Sequence, residues 1–232
     1  MRKDVFITGT DTGVGKTIVA GLLLRFLREK GLNAVTQKWV QTGSYDVSED
    51  VRAHMGFIDG ATESMKKYAE DIAPYIFRFP ASPHLAASLE NVEISFEKIE
   101  RCFKRLSSEF DRVIVEGSGG IMVPLSGKET FIDAVEKLGL PVIMVAENRL
   151  GAINQSLLTL EALRKHGIRV IGTVFNRSFE KQDIRILEDN KTIVEKLSGI
   201  RTLGEIKFSA DRTALCEKFV PIGEAIEEEL EK

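Results

Sequence analysis

The stretch Gly9–Thr17, GTDTGVGKT, places a lysine, several hydroxyls and three glycines directly behind a short apolar run, DVFITG. These are the groups that hold phosphate. Backbone N–H groups at a helix start favour bound anions. Gly13 and Gly15 permit unusual backbone angles and close approach of phosphate oxygens. Lys16 can reach the outer phosphates of a nucleotide, and the Thr17 hydroxyl can bind Mg²⁺. Gly15-Lys16-Thr17 fits the G-x-x-x-x-G-K-[ST] pattern, whose leading glycine should stand at residue 10. Residue 10 is Thr10, and Gly9 comes one place early. The stretch therefore reads as a variant phosphate loop. A glycine-rich turn with a merely solvated lysine fits less well, because the strand signal before it and the helix signal after it agree with the triplet.

Other residues carry compatible chemistry. Glu116 closes an apolar run and is followed by Gly117, Gly119 and Gly120. A carboxylate there can hold Mg²⁺ directly or through water. Lys38 lies in AVTQKWVQ, just before a turn at Thr42-Gly43, and offers a point charge for an anion. The Thr42 hydroxyl can bond an amino group. Asp50 lies in SEDVRAHM, with Asp46 and Glu49 close enough to be mistaken for it. Arg149–Asn154 opens a helix whose free N–H groups suit a carboxylate. His54, His84 and His166 show no ligand spacing, and His84 reads as structural. Cys102 and Cys216 form neither a C-x-x-C pair nor a disulfide framework.

These residues need a scaffold that brings them to one side. Strand-like runs occur at Val5–Thr8, Ala34–Val40, Arg112–Glu116, Pro141–Ala146, Val170–Phe175 and Thr202–Ile206. Amphipathic stretches follow at Lys16–Glu29, Phe96–Glu109, Ile132–Leu138, Ala152–Lys165 and Asp183–Leu197, and the acidic end EAIEEELEK reads as a final helix. The strands are apolar on both parities, as expected when both faces are covered. The alternation points to an α/β fold, a mostly parallel sheet flanked by helices on both faces. Ligands in such sheets bind beyond the carboxyl ends of the strands. Gly9, Lys38–Thr42, Glu116–Gly120, Glu147–Gly151 and Asn176 should then share one rim.

The chain has 232 residues, 43% hydrophobic and 29% charged, with a formal charge of -3. That suits one domain over residues 1–232 and offers no nucleic-acid surface. The apolar stretch LPVIMVA is too short for a membrane span, and the N-terminal apolar run is too short for a signal peptide. A reduced, cytoplasmic protein is the expectation.

Set beside known families, GTDTGVGKT closely resembles the opening of dethiobiotin synthetases, a P-loop NTPase family. The resemblance continues over about residues 5 to 206. QKWVQTGS is similar to that family's K-P-V-x-[ST]-G segment, FPASPHLAA to its S-P-H segment, and VIVEGSGGIMVPL to its V-E-G-[AS]-G-G-x-x-x-P-L block. RLGAINQSLLTLEAL resembles its L-G-x-I-N helix start, and GEI its late strand. Two departures stand out: Trp39 and Lys207 occupy places where the family usually has proline.

The resemblance implies an ATP- and Mg²⁺-dependent ligase that joins 7,8-diaminononanoate and CO₂ into dethiobiotin. It implies catalytic roles for Lys16, Lys38 and the Thr12 region, and a metal held by Thr17, Asp50 and Glu116. The implied nucleotide site comprises Gly13, Val14, Gly15, Lys16, Thr17, Ile18, Asp50, Glu116, Gly117, Ser118, Gly119, Asn176, Arg177, Glu205, Ile206 and Lys207. Thr42, Lys38, Gly151 and Asn154 would bind the diamine, the last two from a second subunit of a homodimer. Two rivals are weaker. Partition-type ATPases carry a signature lysine that would fall at Asp11. Corrinoid amidases need a glutaminase domain with a nucleophilic cysteine, for which this chain is expected to be too short.

Overall fold

All five residues of strand β1 (Val5–Gly9) are buried, with alternate side chains entering opposite cores. That is why Val5, Phe6 and Ile7 are apolar in succession rather than at every second position. The computed structural model describes residues 4–58, 65–177 and 183–232. Strands β2 (Ala34–Lys38), β3 (Val40–Thr42), β4 (Tyr75–Phe77), β5 (Arg112–Gly120), β6 (Val142–Glu147), β7 (Val170–Arg177) and β8 (Thr202–Lys207) follow in the chain. Six of them form a parallel sheet in the order β2-β5-β1-β6-β7-β8. The expected fold class is the one observed.

Helices cover both faces of this sheet. On one face, α1 (Lys16–Glu29) packs with the C-terminal helix Arg212–Glu231 against Val5, Ile7, Ile114 and Val145. The other face carries the helices Phe96–Glu109 and Phe131–Leu138, which close over Phe6, Val35, Val113 and Val115. A smaller cluster of Met144, Ala146, Leu160, Phe175 and Val194 fixes the helices Ala152–Lys165 and Ile184–Ser198 to β6 and β7. The C-terminal helix is far longer than the EAIEEELEK end expected of it; it begins at Arg212 and runs through Pro221.

One strand expectation needs correction. Ala34–Val40 reads as a single run, yet the chain leaves the sheet at Trp39. β2 ends at Lys38, and β3 pairs instead with β4 in a separate two-stranded sheet. The cause is the indole. Trp39 is fully buried, 5.0 Å from the Phe6 ring and stacked on Phe131 at 6.2 Å. Its Nε1–H donates to Oε1 of Gln37 at 3.0 Å, so the polar end of the ring is satisfied inside the core. The break leaves Lys38 as the last residue of β2, in register with Glu116 on β5.

A short helix absent from the sequence reading, α2 (Glu49–Met55), follows β3 and is capped by Ser48, whose Oγ accepts from the N–H of Val51. Its brevity explains why periodicity did not reveal it.

Candidate active site

The loop after β1 enters α1 through Gly15, which sits in the left-handed region at φ 104° without a side-chain cap. A side chain there would be strained. It would also run into Asn176 Nδ2, 2.3 Å from where a Cβ would stand. The first-turn N–H groups of α1 have no side-chain cap, which is the state of a phosphate-binding helix start. Lys16 is 6% exposed, and its Nζ donates to the Asp11 carbonyl at 2.8 Å. Burial, with the nearby charge of Lys38, lowers its pKa from 10.5 to about 8. Gly13 is also left-handed, Val14 is buried, and Thr12 is exposed at the cavity edge.

Three elements converge on Glu116. The Thr17 hydroxyl of α1 donates to its Oε1 at 3.0 Å and lies 3.2 Å from Oδ1 of Asp50 on α2. Lys38 Nζ sits 2.8 Å from Oε1 of Glu116, 2.7 Å from Oδ2 of Asp50 and 3.0 Å from the Gly117 carbonyl. All three ammonium hydrogens of Lys38 thus have partners. Burial pulls the Lys38 pKa down, but Glu116 and Asp50 outweigh it and the net shift is upward. Burial pushes the Glu116 carboxyl up; Lys38 and His54 outweigh that and hold it well below the usual carboxylate range.

Asp50, and not its neighbours, reaches this centre; Asp46 and Glu49 are exposed. Oε1 of Gln41 on β3 accepts from Ser48 Oγ at 2.7 Å and from the Asp50 N–H at 3.2 Å, tying the start of α2 to the site. Neither Gln41 nor His54 was singled out in the sequence. His54 Nε2 contacts Oε2 of Glu116 at 2.7 Å, and the residue is fully buried. A usable signal was its i+4 spacing from Asp50, which puts both on one helix face.

Lys16, Thr17, Lys38, Gln41, Asp50 and Glu116 line a cavity of about 530 Å³ with Thr42, Ser118, Gly119 and the Pro80–Pro83 segment. Ser118 Oγ donates to the Val40 carbonyl at 2.5 Å, bracing β5 against β3. The oxygen set of Thr17, Asp50 and Glu116 suits a hard divalent ion. Among the described residues, no group of three or more His, Cys, Asp or Glu could hold a metal by itself.

Other expected residues lie apart from this cavity. Asn176 donates from Nδ2 to the Val14 carbonyl at 3.0 Å, placing the ends of β7 and of the phosphate loop side by side. Arg177, Glu205, Ile206 and Lys207 lie at the carboxyl ends of β7 and β8. The Glu205 carboxylate accepts from Asn148 Nδ2 at 2.6 Å, Ile206 is buried and Lys207 is exposed. Ile18 borders a neighbouring cavity with Arg52, Phe57 and Arg212. Gly151 caps the helix Ala152–Lys165 at φ 92°. Asn154 is exposed and lines a different cavity with Leu157, Leu158 and Leu197.

Comparison with known proteins gives this geometry a family. An AAA domain model (AAA_26) matches residues 3–214. The chain is 44% identical over 197 residues to the ATP-dependent dethiobiotin synthetase BioD of Chlorobaculum tepidum, covering 81% of this chain and 78% of that one. It is 38% identical over 215 residues to the enzyme of the same name from Clostridium perfringens, covering 89% and 91%. BioD 2 of Haemophilus influenzae is 37% identical over 193 residues, covering 83% and 100%. Solved structures show the fold at lower identity. The Pyrococcus furiosus cell division ATPase MinD has a TM-score of 0.60 at 16% identity, covering 98% of this chain and 99% of that one. A ParA family ATPase from Chlorobium tepidum has a TM-score of 0.55 at 14% identity, covering 99% and 97%. On the family match and these curated relatives, the chain belongs to the ATP-dependent dethiobiotin synthetase family.

Proposed function

We infer that this chain forms dethiobiotin from 7,8-diaminononanoate, CO₂ and ATP, a step of biotin biosynthesis. One observation carries the reading: a phosphate loop, two carboxylates and a buried lysine converge on a single cavity through Thr17, Glu116, Asp50 and Lys38. The structural likeness to partition ATPases concerns the fold alone, and Asp11 stands where their signature lysine would fall.

In this reading one amine of the diamine takes up CO₂ as a carbamate. A carbamate oxygen attacks the γ-phosphorus of ATP, giving a carbamic–phosphoric anhydride and ADP. The second amine then attacks the carbamoyl carbon, closing the ring and expelling phosphate. Lys16 faces the outer phosphates from the loop. Lys38 exchanges one of its three present partners for the carbamate anion. Thr12 and Gly13 close the loop side, and Thr42 faces the diamine. Mg²⁺ held between Thr17, Asp50, Glu116 and the phosphates would neutralise phosphate charge. Positioning and charge compensation carry the catalysis, with no protein nucleophile. Cys102 is buried, Cys216 lies on the C-terminal helix, and neither lines the cavity of Lys16 and Lys38.

The nucleotide base is assigned to the rim formed by Asn176, Arg177 and Glu205–Lys207, next to Val14, with Ile18 on the nucleotide side of α1. Gly151 and Asn154 are assigned to the diamine carboxylate in a partner copy's site, which makes the working unit a homodimer. Exposed Leu158 and Leu197 line the same cavity as Asn154 and suit burial there. No described helix is long and apolar enough to cross a membrane, and a cytoplasmic location is assigned.

The test is direct. Purified protein incubated with the diamine, bicarbonate and MgATP should yield a product of dethiobiotin mass and one ADP per product. ATP hydrolysis without that product would overturn the reading.

A further inference from the structure

Glu116 has two carboxylate oxygens with separate duties. Oε1 takes the Thr17 hydroxyl and the Lys38 ammonium, at 3.0 and 2.8 Å. Among the described residues, Oε2 takes a single hydrogen bond, from His54 Nε2 at 2.7 Å. A carboxylate cannot donate here, so the ring nitrogen does; this assigns the proton to Nε2. The other ring nitrogen, Nδ1, is buried without a hydrogen-bond partner. The ring therefore spends its one hydrogen bond on Glu116, in a place with 0% exposure.

A fully buried imidazole with a single polar contact is an expensive way to fill space, since burying a polar group costs stability unless it is bonded. The contact has a geometric effect. The last torsion of a glutamate side chain is broad and about two-fold, so an untethered carboxylate rotates. Anchoring Oε2 fixes the carboxylate plane and turns Oε1 toward Thr17. His54 is held by the element that supplies Asp50: both ride α2, one turn apart, and α2 is fixed through Ser48 and Gln41. One short helix therefore delivers the second carboxylate and aligns the first.

We propose that His54 is a positioning residue for the reaction, holding Oε2 of Glu116 so that Oε1 is presented to Thr17 and to a divalent cation shared with the nucleotide. The proposal rests on the site reading above. Groups that orient a metal-binding carboxylate change metal affinity by about 10- to 100-fold when removed.

The test compares the wild type with His54→Leu, His54→Gln and His54→Asn, each checked for folding by circular dichroism. Mn²⁺ binding in the presence of ADP is measured by electron paramagnetic resonance, and ADP binding without metal by calorimetry. His54→Leu should weaken Mn²⁺ binding at least about tenfold, and raise the Mg²⁺ needed for half-maximal turnover to match. Metal-free ADP affinity should stay nearly unchanged, because His54 does not line the cavity. In His54→Gln the side-chain amide places an N–H near the imidazole Nε2 and should recover most of the loss. His54→Asn stops short and should not. Unchanged Mn²⁺ binding in His54→Leu overturns the proposal, as does a His54→Gln variant as weak as His54→Leu. Should His54→Leu fail to fold, equal Mn²⁺ affinities in the Gln and Asn variants overturn it. A wild type that binds Mn²⁺·ADP but makes no dethiobiotin would instead reject the proposed reaction, and the metal arm would still judge His54.

Discussion

Lys38 and Glu116 occupy paired positions on adjacent parallel strands, and their charged atoms meet at 2.8 Å with side-chain exposures of 4% and 1%. The register puts both side chains on the same face. Two charges this deep are costly unless paired, and removing one leaves the other uncompensated. Here Asp50 and Thr17 share the cluster, so the pair is at once a structural constraint and the chemical centre.

Glu116→Gln is expected to remove most Mg²⁺-dependent turnover while leaving diamine binding nearly intact. It should also destabilise the protein by roughly 3 kcal/mol, because Lys38 loses its nearest buried partner. The pH dependence has a defined sign. The folded Glu116 carboxyl lies below its ordinary 4.5, so its contribution is complete above that value. It is lost as pH falls through the lower folded value. Urea unfolding between pH 3 and 6 should therefore show a shallower acid slope in Glu116→Gln. Equal slopes would show that Glu116 is not the buried anion of the pair.

Lys16 should take up a proton when nucleotide binds. Its pKa is about 8 in the free protein, and phosphate charge would raise it again. Near pH 8 about half a proton per site should be absorbed, and ATP affinity should fall as pH rises beyond that. Calorimetry in two buffers of different ionisation enthalpy measures the uptake. Lys16→Met should abolish it together with turnover, while the fold persists. Equal uptake in the variant assigns the proton to another group.

Trp39 packs against Phe6 and Phe131 directly after Lys38. Trp39→Ala should cost about 3–5 kcal/mol, the usual range for a large aromatic removed from a core. Trp39→Phe should cost less, although Gln37 Oε1 then loses its donor. Denaturant midpoints followed by circular dichroism decide this. A loss below about 1 kcal/mol in the alanine variant would mean that the indole does not hold the strand break in place.

The sheet, the phosphate loop and the strand-end positions of Lys38 and Glu116 were legible because each depends on local signals: continuous apolar runs, glycine spacing and a helix start. The break at Trp39 was not, since an aromatic residue in an apolar run looks like more strand until its ring is seen crossing to Phe131. α2 was invisible for a related reason. Seven residues carry too little period; the Ser48 cap is a local signal that went unread, whereas the Gln41 brace shows itself only once β3 and α2 are adjacent. His54 follows from the same gap, because its role exists only through Glu116, 62 positions away.

The last expectation concerns the second subunit. Asn154 stands in the first turn of the helix Ala152–Lys165, whose N–H groups favour an anion. Yet it lines a cavity with Leu157, Leu158 and Leu197 and is absent from the cavity of Lys16 and Lys38. Within one chain it cannot serve the reacting end of the diamine. The proposed function gives it the carboxylate at the far end of the diamine, in a partner copy's site. Asn154→Ala should then raise KM for the diamine about tenfold, the loss of one bond to a charged group, with KM for ATP nearly unchanged. Mixed with Lys38→Ala, it should regain activity, since one of the two heterodimer sites combines an intact Lys38 with an intact Asn154. Subunit exchange is verified by native mass spectrometry. Heterodimers that form but stay inactive would place Asn154 outside the shared site and return the diamine carboxylate to groups within a single chain.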